Sequence, residues 1–203
     1  MKKILLLAVL CSSFSFAETT EKQTLTRGNA LHGGFVALSF KLTKVTDAWY
    51  GMFGFRMGWT MNKSFSLGAA YFDMIKNLTH YRVYAPDIVQ PPQDFHYYLF
   101  DTNHAGLELE YLFRPERQVH FSISTLMGIG HIKYVEPTYF QALIDDRHLF
   151  VEPTLSINLN ISDYVKCSIG FVYRYTSGVK AEGLNDNSLS GFALSSSLAV
   201  GIF

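Results

Sequence analysis

The chain has 203 residues, of which 17 are basic and 17 are acidic, so its formal net charge is zero. This balance excludes the strongly basic surface that nucleic-acid binding requires, and the length suits a single domain. Although 48% of the residues are hydrophobic and 15% are aromatic, no apolar run reaches the roughly 18 residues that a membrane-spanning helix needs.

The N-terminal end has the composition of a secretory signal peptide. Two lysines precede an apolar run over 4–10, and small residues follow up to Ala17. This order of basic, apolar and small-residue segments predicts cleavage after Ala17. We therefore expect residues 1–17 to be removed and residues 18–32 to form a short periplasmic segment. The mature chain then has Cys167 as its one cysteine, so no intramolecular disulfide is expected.

From residue 33 onward, apolar residues alternate with small or polar ones. In the first such stretch Val36, Leu38 and Phe40 share one face of a strand, while Ser39 and Lys41 lie on the other. A period of two residues is typical of strands, and these stretches are about as long as a tilted strand that crosses a bilayer. The sequence predicts eight strands, over 33–45, 49–61, 64–75, 104–113, 119–134, 150–161, 164–175 and 190–203.

The connections between these strands alternate in length, except that the first external one, around Thr46 to Ala48, is also short. Short ones are predicted at 62–64, 114–118 and 162–163, and long ones at 76–103, 135–148 and 176–189. Outer-membrane barrels have short periplasmic turns and longer external loops, so both chain termini are expected on the periplasmic side. Because lipid offers no hydrogen-bond partner to a free strand edge, the last strand should pair with the first. The predicted fold class is all-β: an eight-stranded antiparallel up-and-down transmembrane β-barrel over residues 33–203.

With its signal peptide, eight alternating strands, asymmetric turns and terminal Phe203, the chain resembles the small eight-stranded outer-membrane β-barrel proteins of Gram-negative bacteria. The resemblance covers residues 33–203 and implies a location in the cell outer membrane. Barrels of this family end on an aromatic residue that the barrel-assembly machinery reads, which implies that role for Phe203. In this chain, however, Phe203 shares its strand face with Gly201 and Ala199 rather than with the apolar residue Val200.

Seven charged residues fall on strand faces that are predicted to point into the barrel: Lys41, Arg56, Glu108, Glu110, Glu152, Lys166 and Arg174. Opposite charges in a low-dielectric interior are expected to pair, because an unpaired buried charge is costly. In particular, Arg56 is predicted to face Glu108 or Glu110. An eight-stranded barrel is just wide enough for side chains to fill it, so we expect polar and charged side chains to close the lumen. The alternative is a narrow channel for ions or small solutes.

A lipid A-modifying enzyme is a further alternative. His120 and Ser122 lie two residues apart, which places both side chains on one strand face, and some outer-membrane deacylases use a His and a Ser at this spacing. However, the pair follows the short turn 114–118, far from the outer leaflet that holds lipid A, and no third orienting group is evident. We therefore predict no catalytic residues and no enzymatic activity.

Five histidines fall at or above the predicted external rim: His80, His96, His104, His131 and His148. Their spacing matches no metal-ligand motif. The sequence therefore predicts dispersed histidines, no metal site and no cofactor.

The longest external connection contains Tyr81, Tyr84, Tyr97 and Tyr98 together with three prolines. Tyrosine offers a large contact area at low entropic cost, which suits recognition; the alternative is that these rings belong to an interfacial girdle. We expect a structural or surface-interacting role. The expected partners are outer-membrane lipid and lipopolysaccharide, the barrel-assembly machinery and, through this loop, an extracellular ligand. We expect no nucleic-acid partner, and we expect a monomer.

Overall fold

The computed structural model describes residues 31–45, 48–75, 99–135, 142–181 and 184–203. The predicted signal peptide, 1–17, lies outside the described residues. All eight predicted strands are present and form one closed antiparallel barrel in chain order, which confirms the predicted fold class. The elements are β1 (His32–Val45), β2 (Ala48–Met61), β3 (Phe65–Met74), β4 (Leu99–Phe113), β5 (Val119–Val135), β6 (Ala142–Ser162), β7 (Val165–Ser177), a one-turn helix α1 (Asp186–Leu189) and β8 (Gly191–Ile202).

Pairing between β8 and β1 closes the barrel, as the sequence predicted. The register sets Ala37 opposite Ala199. Every strand therefore has a hydrogen-bonded neighbour on both sides, which satisfies the backbone groups that hydrocarbon cannot. Phe203 follows β8 on the inward face, and its ring stacks on that of Phe35 with 6.1 Å between centroids.

The two ends of the barrel differ. The start of β1, the end of β8 and the turns after β2, β4 and β6 lie at one end, which we call the terminus end; the connections after β1, β3, β5 and β7 lie at the other, the loop end. At the terminus end, Asn62 and Lys63 have φ angles of 51° and 61°. Positive φ at two successive residues is typical of a type I′ turn, whose twist matches that of the strands it joins.

Two strands begin earlier than the sequence predicted. β4 begins at Leu99 and β6 at Ala142, so the connection after β5 is shorter than expected. In the added part of the sheet, Lys133 is paired in register with Asp101 on one side and Asp145 on the other. Opposite charges on neighbouring strands stabilise their pairing, but they lack the apolar alternation by which the strands were predicted.

The outward face is apolar and the inward face is polar. On β1, Val36 and Leu38 are 60% and 49% exposed, whereas Ser39 and Lys41 are 3% and 2% exposed. Large apolar side chains are exposed on all eight strands, a surface suited to hydrocarbon. Among the residues described, no helix combines the length and hydropathy of a membrane span.

Candidate functional site

The seven charged residues singled out in the sequence all lie in the barrel lumen, where they form two groups. The first, at the level nearer the loop end, is the loop-side cluster: Lys41, Glu152 and Arg174. The second is the terminus-side cluster: Arg56, Glu108, Glu110 and Lys166.

In the terminus-side cluster, one guanidinium binds two carboxylates. Arg56 Nε donates to Glu108 Oε2 at 2.8 Å, and Arg56 Nη2 lies 3.7 Å from Glu110 Oε2. Ser122 also donates to Glu110, at 2.7 Å. Lys166 supplies a second cation, and the group that attracts it most strongly is Glu110. The cluster therefore balances two positive charges with two negative ones.

In the loop-side cluster, one carboxylate binds two cations. Glu152 accepts from Arg174 Nε at 2.6 Å and from Lys41 Nζ. These side chains are at most 3% exposed. Lys41 comes from β1, whereas Glu152 and Arg174 come from β6 and β7, so the bridge crosses the lumen. Lys41 Nζ also lies 3.9 Å from the centroid of the Phe72 ring, a cation–π contact. The loop-side cluster keeps one net positive charge.

A hydroxyl-lined cavity separates the two clusters. Its volume is about 30 Å³, which is room for about two water molecules. Lys41 and Glu152 border it from one cluster, and Arg56 and Glu108 from the other. Hydroxyl groups supply much of the remaining wall, from Ser39, Ser124, Thr154, Ser156, Ser168, Ser195, Ser196 and Ser197.

An apolar cluster fills the barrel mouth at the loop end. Between β7 and β8, the described residues 178–181 and 184–190 include Ala181 and Leu189, which are only 4% and 1% exposed. They join a cluster with Tyr50 and Ile132. The sequence analysis assigned this segment to an external loop and did not identify its buried residues. Four apolar residues within this loop, Val179, Ala181, Leu184 and Leu189, were the available signal.

Asp146 fastens this segment to the barrel. Its carboxylate accepts hydrogen bonds from the backbone N–H groups of Lys180 at 2.6 Å and Ala181 at 2.8 Å. Although burial opposes ionisation, these and a third backbone N–H hold the pKa of Asp146 below its ordinary value. Asn185 and Ser188 form a capping box at the start of α1, which satisfies backbone donors there. The segment thus has defined hydrogen bonds as well as apolar contacts.

Two histidines meet inside the lumen, so the expectation of dispersed histidines is wrong for this pair. His104 and His148 are 0% and 2% exposed, and their ring centroids are 5.7 Å apart with perpendicular planes. Gly130 lies between them in register, and a side chain there would collide with both rings. The spacing in sequence could not reveal this pair, because it depends on the register of three strands. His131 lies outside the lumen and binds Asp145.

His120 and Ser122, the candidate pair for a lipid A-modifying enzyme, face the lumen but bind different partners. His120 Nδ1 lies 3.2 Å from the carbonyl oxygen of Arg117. Ser122 donates to Glu110 and accepts from Asn158 at 2.9 Å. The hydroxyl of Ser122 is therefore committed to the terminus-side cluster.

In the part of the chain that the structure describes, no group of three or more His, Cys, Asp or Glu side chains is arranged to hold a metal ion. The predicted contact residues of the longest connection lie outside the described residues, as do two of the rim histidines: Tyr81, Tyr84, Tyr97, Tyr98, His80 and His96.

A scan against models of protein families finds no match, and a search of curated proteins finds none either. Among solved structures, Neisserial surface protein A has a TM-score of 0.58 and 12% sequence identity, covering 85% of this chain and 99% of its own. A major outer membrane protein from Thermus thermophilus has a TM-score of 0.49 and 8% identity, covering 83% and 99%. The attachment invasion locus protein of Yersinia pestis has a TM-score of 0.43 and 11% identity, covering 87% and 97%. The likeness to the Neisserial protein shows the fold, which is that of the small eight-stranded outer-membrane β-barrels.

Proposed function

We propose that the protein is an integral outer-membrane β-barrel with a closed lumen, and that its role is structural or lies in contacts at the cell surface, without enzymatic activity. The observation that carries the closed lumen is the succession of obstacles along it: the terminus-side cluster, the loop-side cluster and the apolar mouth. Separating a buried ion pair leaves uncompensated charge, which is strongly unfavourable. An ion would have to disrupt both clusters to pass.

The apolar outward face supports insertion into a bilayer. Side chains such as Leu107, Ile123 and Leu155 are 50% to 61% exposed, and water would not favour so much apolar surface on a monomer. Short turns are periplasmic in barrels of this kind, so the terminus end is assigned to the periplasm. Lipid and lipopolysaccharide are then the surrounding partners. The barrel-assembly machinery is the partner assigned to Phe203.

The loop end supports a role in surface contacts. The extended β4–β5–β6 sheet presents exposed charged side chains there, including Asp145 and Arg147. The connection that carries the prolines and tyrosines of the sequence joins β3 to this extended sheet. Its composition suits recognition of an extracellular ligand.

Fractionation tests the location. We expect the full-length protein, expressed in a Gram-negative host, to separate with the outer membrane and to migrate faster on a gel when unheated than when boiled, because a closed barrel resists unfolding by detergent. Recovery of folded protein from the soluble periplasmic fraction would contradict the proposal.

Cysteine labelling tests the orientation. In a Cys167→Ser background, Asn187→Cys places a thiol on α1 at the loop end, and Lys63→Cys places one on a turn at the terminus end; both positions are exposed. We expect a membrane-impermeant maleimide to label the first in intact cells and the second only after lysis. The reverse pattern would show that the barrel is inverted.

A narrow channel is the second candidate function, and the hydroxyl-lined cavity between the clusters is the observation that favours it. Serine hydroxyl groups can coordinate a dehydrated ion in place of its water shell. They can also form hydrogen bonds with a chain of water molecules. The channel and the closed barrel differ in the ionic conductance of the lumen.

A further inference from the structure

The lumen on the loop side of Glu152 contains buried polar atoms without a hydrogen-bond partner among the residues described. They are both ring nitrogens of His104, both ring nitrogens of His148, Nη1 of Arg174, and the hydroxyl oxygens of Thr102 and Thr176. None of these five side chains is more than 9% exposed. A buried donor without an acceptor destabilises the folded protein, so this many at one level of the barrel indicates a group that they bind.

These side chains come from adjoining positions of the barrel wall. His104 and His148 are both in register with Gly130, and Thr102 is the next inward position on β4. Arg174 and Thr176 are successive inward positions on β7, where Thr176 lies opposite Phe150 of β6. Arg174 acts electrostatically on both histidines. The unpartnered atoms therefore border one region of the lumen.

The charge of this region is positive. Lys41 and Arg174 share Glu152, which leaves one positive charge in excess. Both cations, Arg174 and Lys41, act electrostatically on His104.

The other carboxylates that act on this region have partners of their own. Glu108 acts on Lys41 but is bound by Arg56. Asp146 and Asp186 act on His148, but Asp146 binds the N–H groups of Lys180 and Ala181, and Asp186 binds that of Val179. The excess charge inside the lumen is thus not balanced by these groups alone.

This environment favours an anion over a metal ion. An imidazole pair is a familiar ligand set for zinc or copper, but a metal cation here would lie beside two buried cations whose one carboxylate is already shared. A guanidinium N–H and two hydroxyl groups are hydrogen-bond donors that suit an anion. An imidazole contributes one N–H when neutral and two when protonated, so each histidine can donate in either state.

We propose that this region of the lumen binds one small inorganic anion, of the size of a halide. Arg174 Nη1 and the N–H groups of His104 and His148 hold it, and the hydroxyls of Thr102 and Thr176 complete the donor set. The anion balances the excess charge of the loop-side cluster. The apolar mouth above it, built around Leu189, separates it from solvent. The site does not depend on whether the protein acts at the cell surface.

Halide-dependent stability tests the site. The signal-free protein is refolded in detergent with sodium gluconate, and gluconate is then replaced by bromide at constant ionic strength. We expect Tm to rise with bromide and then to level off, because a ligand that binds the folded state raises its stability by mass action. His104→Phe and His148→Phe keep an aromatic ring but remove the donors, and the bromide-dependent rise should disappear. The matched control is His120→Phe, another buried lumen histidine, which should keep the rise.

Three results would overturn the proposal: no bromide dependence in the parent protein, an equal dependence in the His104 and His148 variants, or a rise in Tm with zinc that is lost in those variants while bromide has no effect. If the variants do not fold, crystals of the parent protein grown in bromide decide the question. An anomalous peak within hydrogen-bond reach of Arg174 Nη1 and an imidazole supports the site, and the absence of such a peak contradicts it.

Discussion

The two charged clusters of the lumen use the same residue types in different proportions. In the terminus-side cluster Arg56 lies between Glu108 and Glu110, with Lys166 nearby. In the loop-side cluster Glu152 lies between two cations. The first is neutral overall and the second is not, although both lie in the same lumen.

The hydrogen bonding around the two clusters also differs. Around the terminus-side cluster, hydroxyl and amide groups form a connected network in which Asn158 binds Ser122 and Ser122 binds Glu110. Around the loop-side cluster, Arg174 Nη1 and two histidines find no partner among the described residues. The terminus-side cluster thus has two carboxylates for its two cations, with an unpartnered atom, Nε2 of His120, near it, whereas the loop-side cluster has one carboxylate.

The largest effect is expected from Glu152→Gln. This change leaves Lys41 and Arg174 buried without their carboxylate partner, and we expect the free energy of unfolding to fall by about 3–5 kcal/mol. Urea unfolding followed by tryptophan fluorescence measures it. The matched control is Glu108→Gln, which leaves Arg56 with Glu110 and should cost only about 1–3 kcal/mol. Equal losses in the two variants would contradict the distinction between the clusters.

A smaller loss is expected from Arg56→Met. It leaves Glu108 and Glu110 as neighbouring carboxylates with Lys166 as the remaining cation, but the Arg56 side chain is 16% exposed. We therefore expect the free energy of unfolding to fall by about 2–4 kcal/mol, which is somewhat less than the loss for a fully buried pair. The double variant Arg56→Met/Glu108→Gln should recover part of the loss, because the two residues are coupled. Additive losses in the double-mutant cycle would show that the bridge contributes nothing.

The smallest effect concerns the mouth and depends on pH. Because the folded state lowers the pKa of Asp146, its bonds to the segment 178–190 should be complete above the ordinary pKa of about 3.9 and weaken as the pH falls below it. Amide hydrogen exchange at Lys180 and Ala181 measures this. Their protection, corrected for intrinsic exchange, should decrease between about pH 5 and pH 2. A pH-independent protection in the parent protein would show that Asp146 does not fasten the segment.

Sequence patterns predicted most of the barrel wall, because hydrocarbon requires an apolar side chain at every second position. Residues such as Leu107 and Leu155 follow this rule. In the apolar parts of their strands, the predicted positions match the structure. The first residues of β4 and β6 were not predicted as strand. Charged pairs such as Lys133 and Asp145 form the same backbone hydrogen bonds there without the apolar alternation.

The alternation of residues along each strand predicted that Lys41 and Glu152 point into the barrel. It could not predict that these two side chains bind each other. They are 111 residues apart in sequence, and their contact depends on the register accumulated around the closed sheet. The contact of His104 with His148 and the burial of Leu189 have the same origin: each is set by the closed barrel and not by neighbours in the chain.

Conductance tests the closed lumen most directly. The signal-free protein, refolded and inserted in a planar bilayer, should pass no steady ionic current, because the two clusters and the apolar mouth obstruct the lumen in succession. Glu152→Gln should conduct at most in brief events, since the terminus-side cluster remains. A steady, ohmic current through the parent protein would contradict the account and favour a narrow channel.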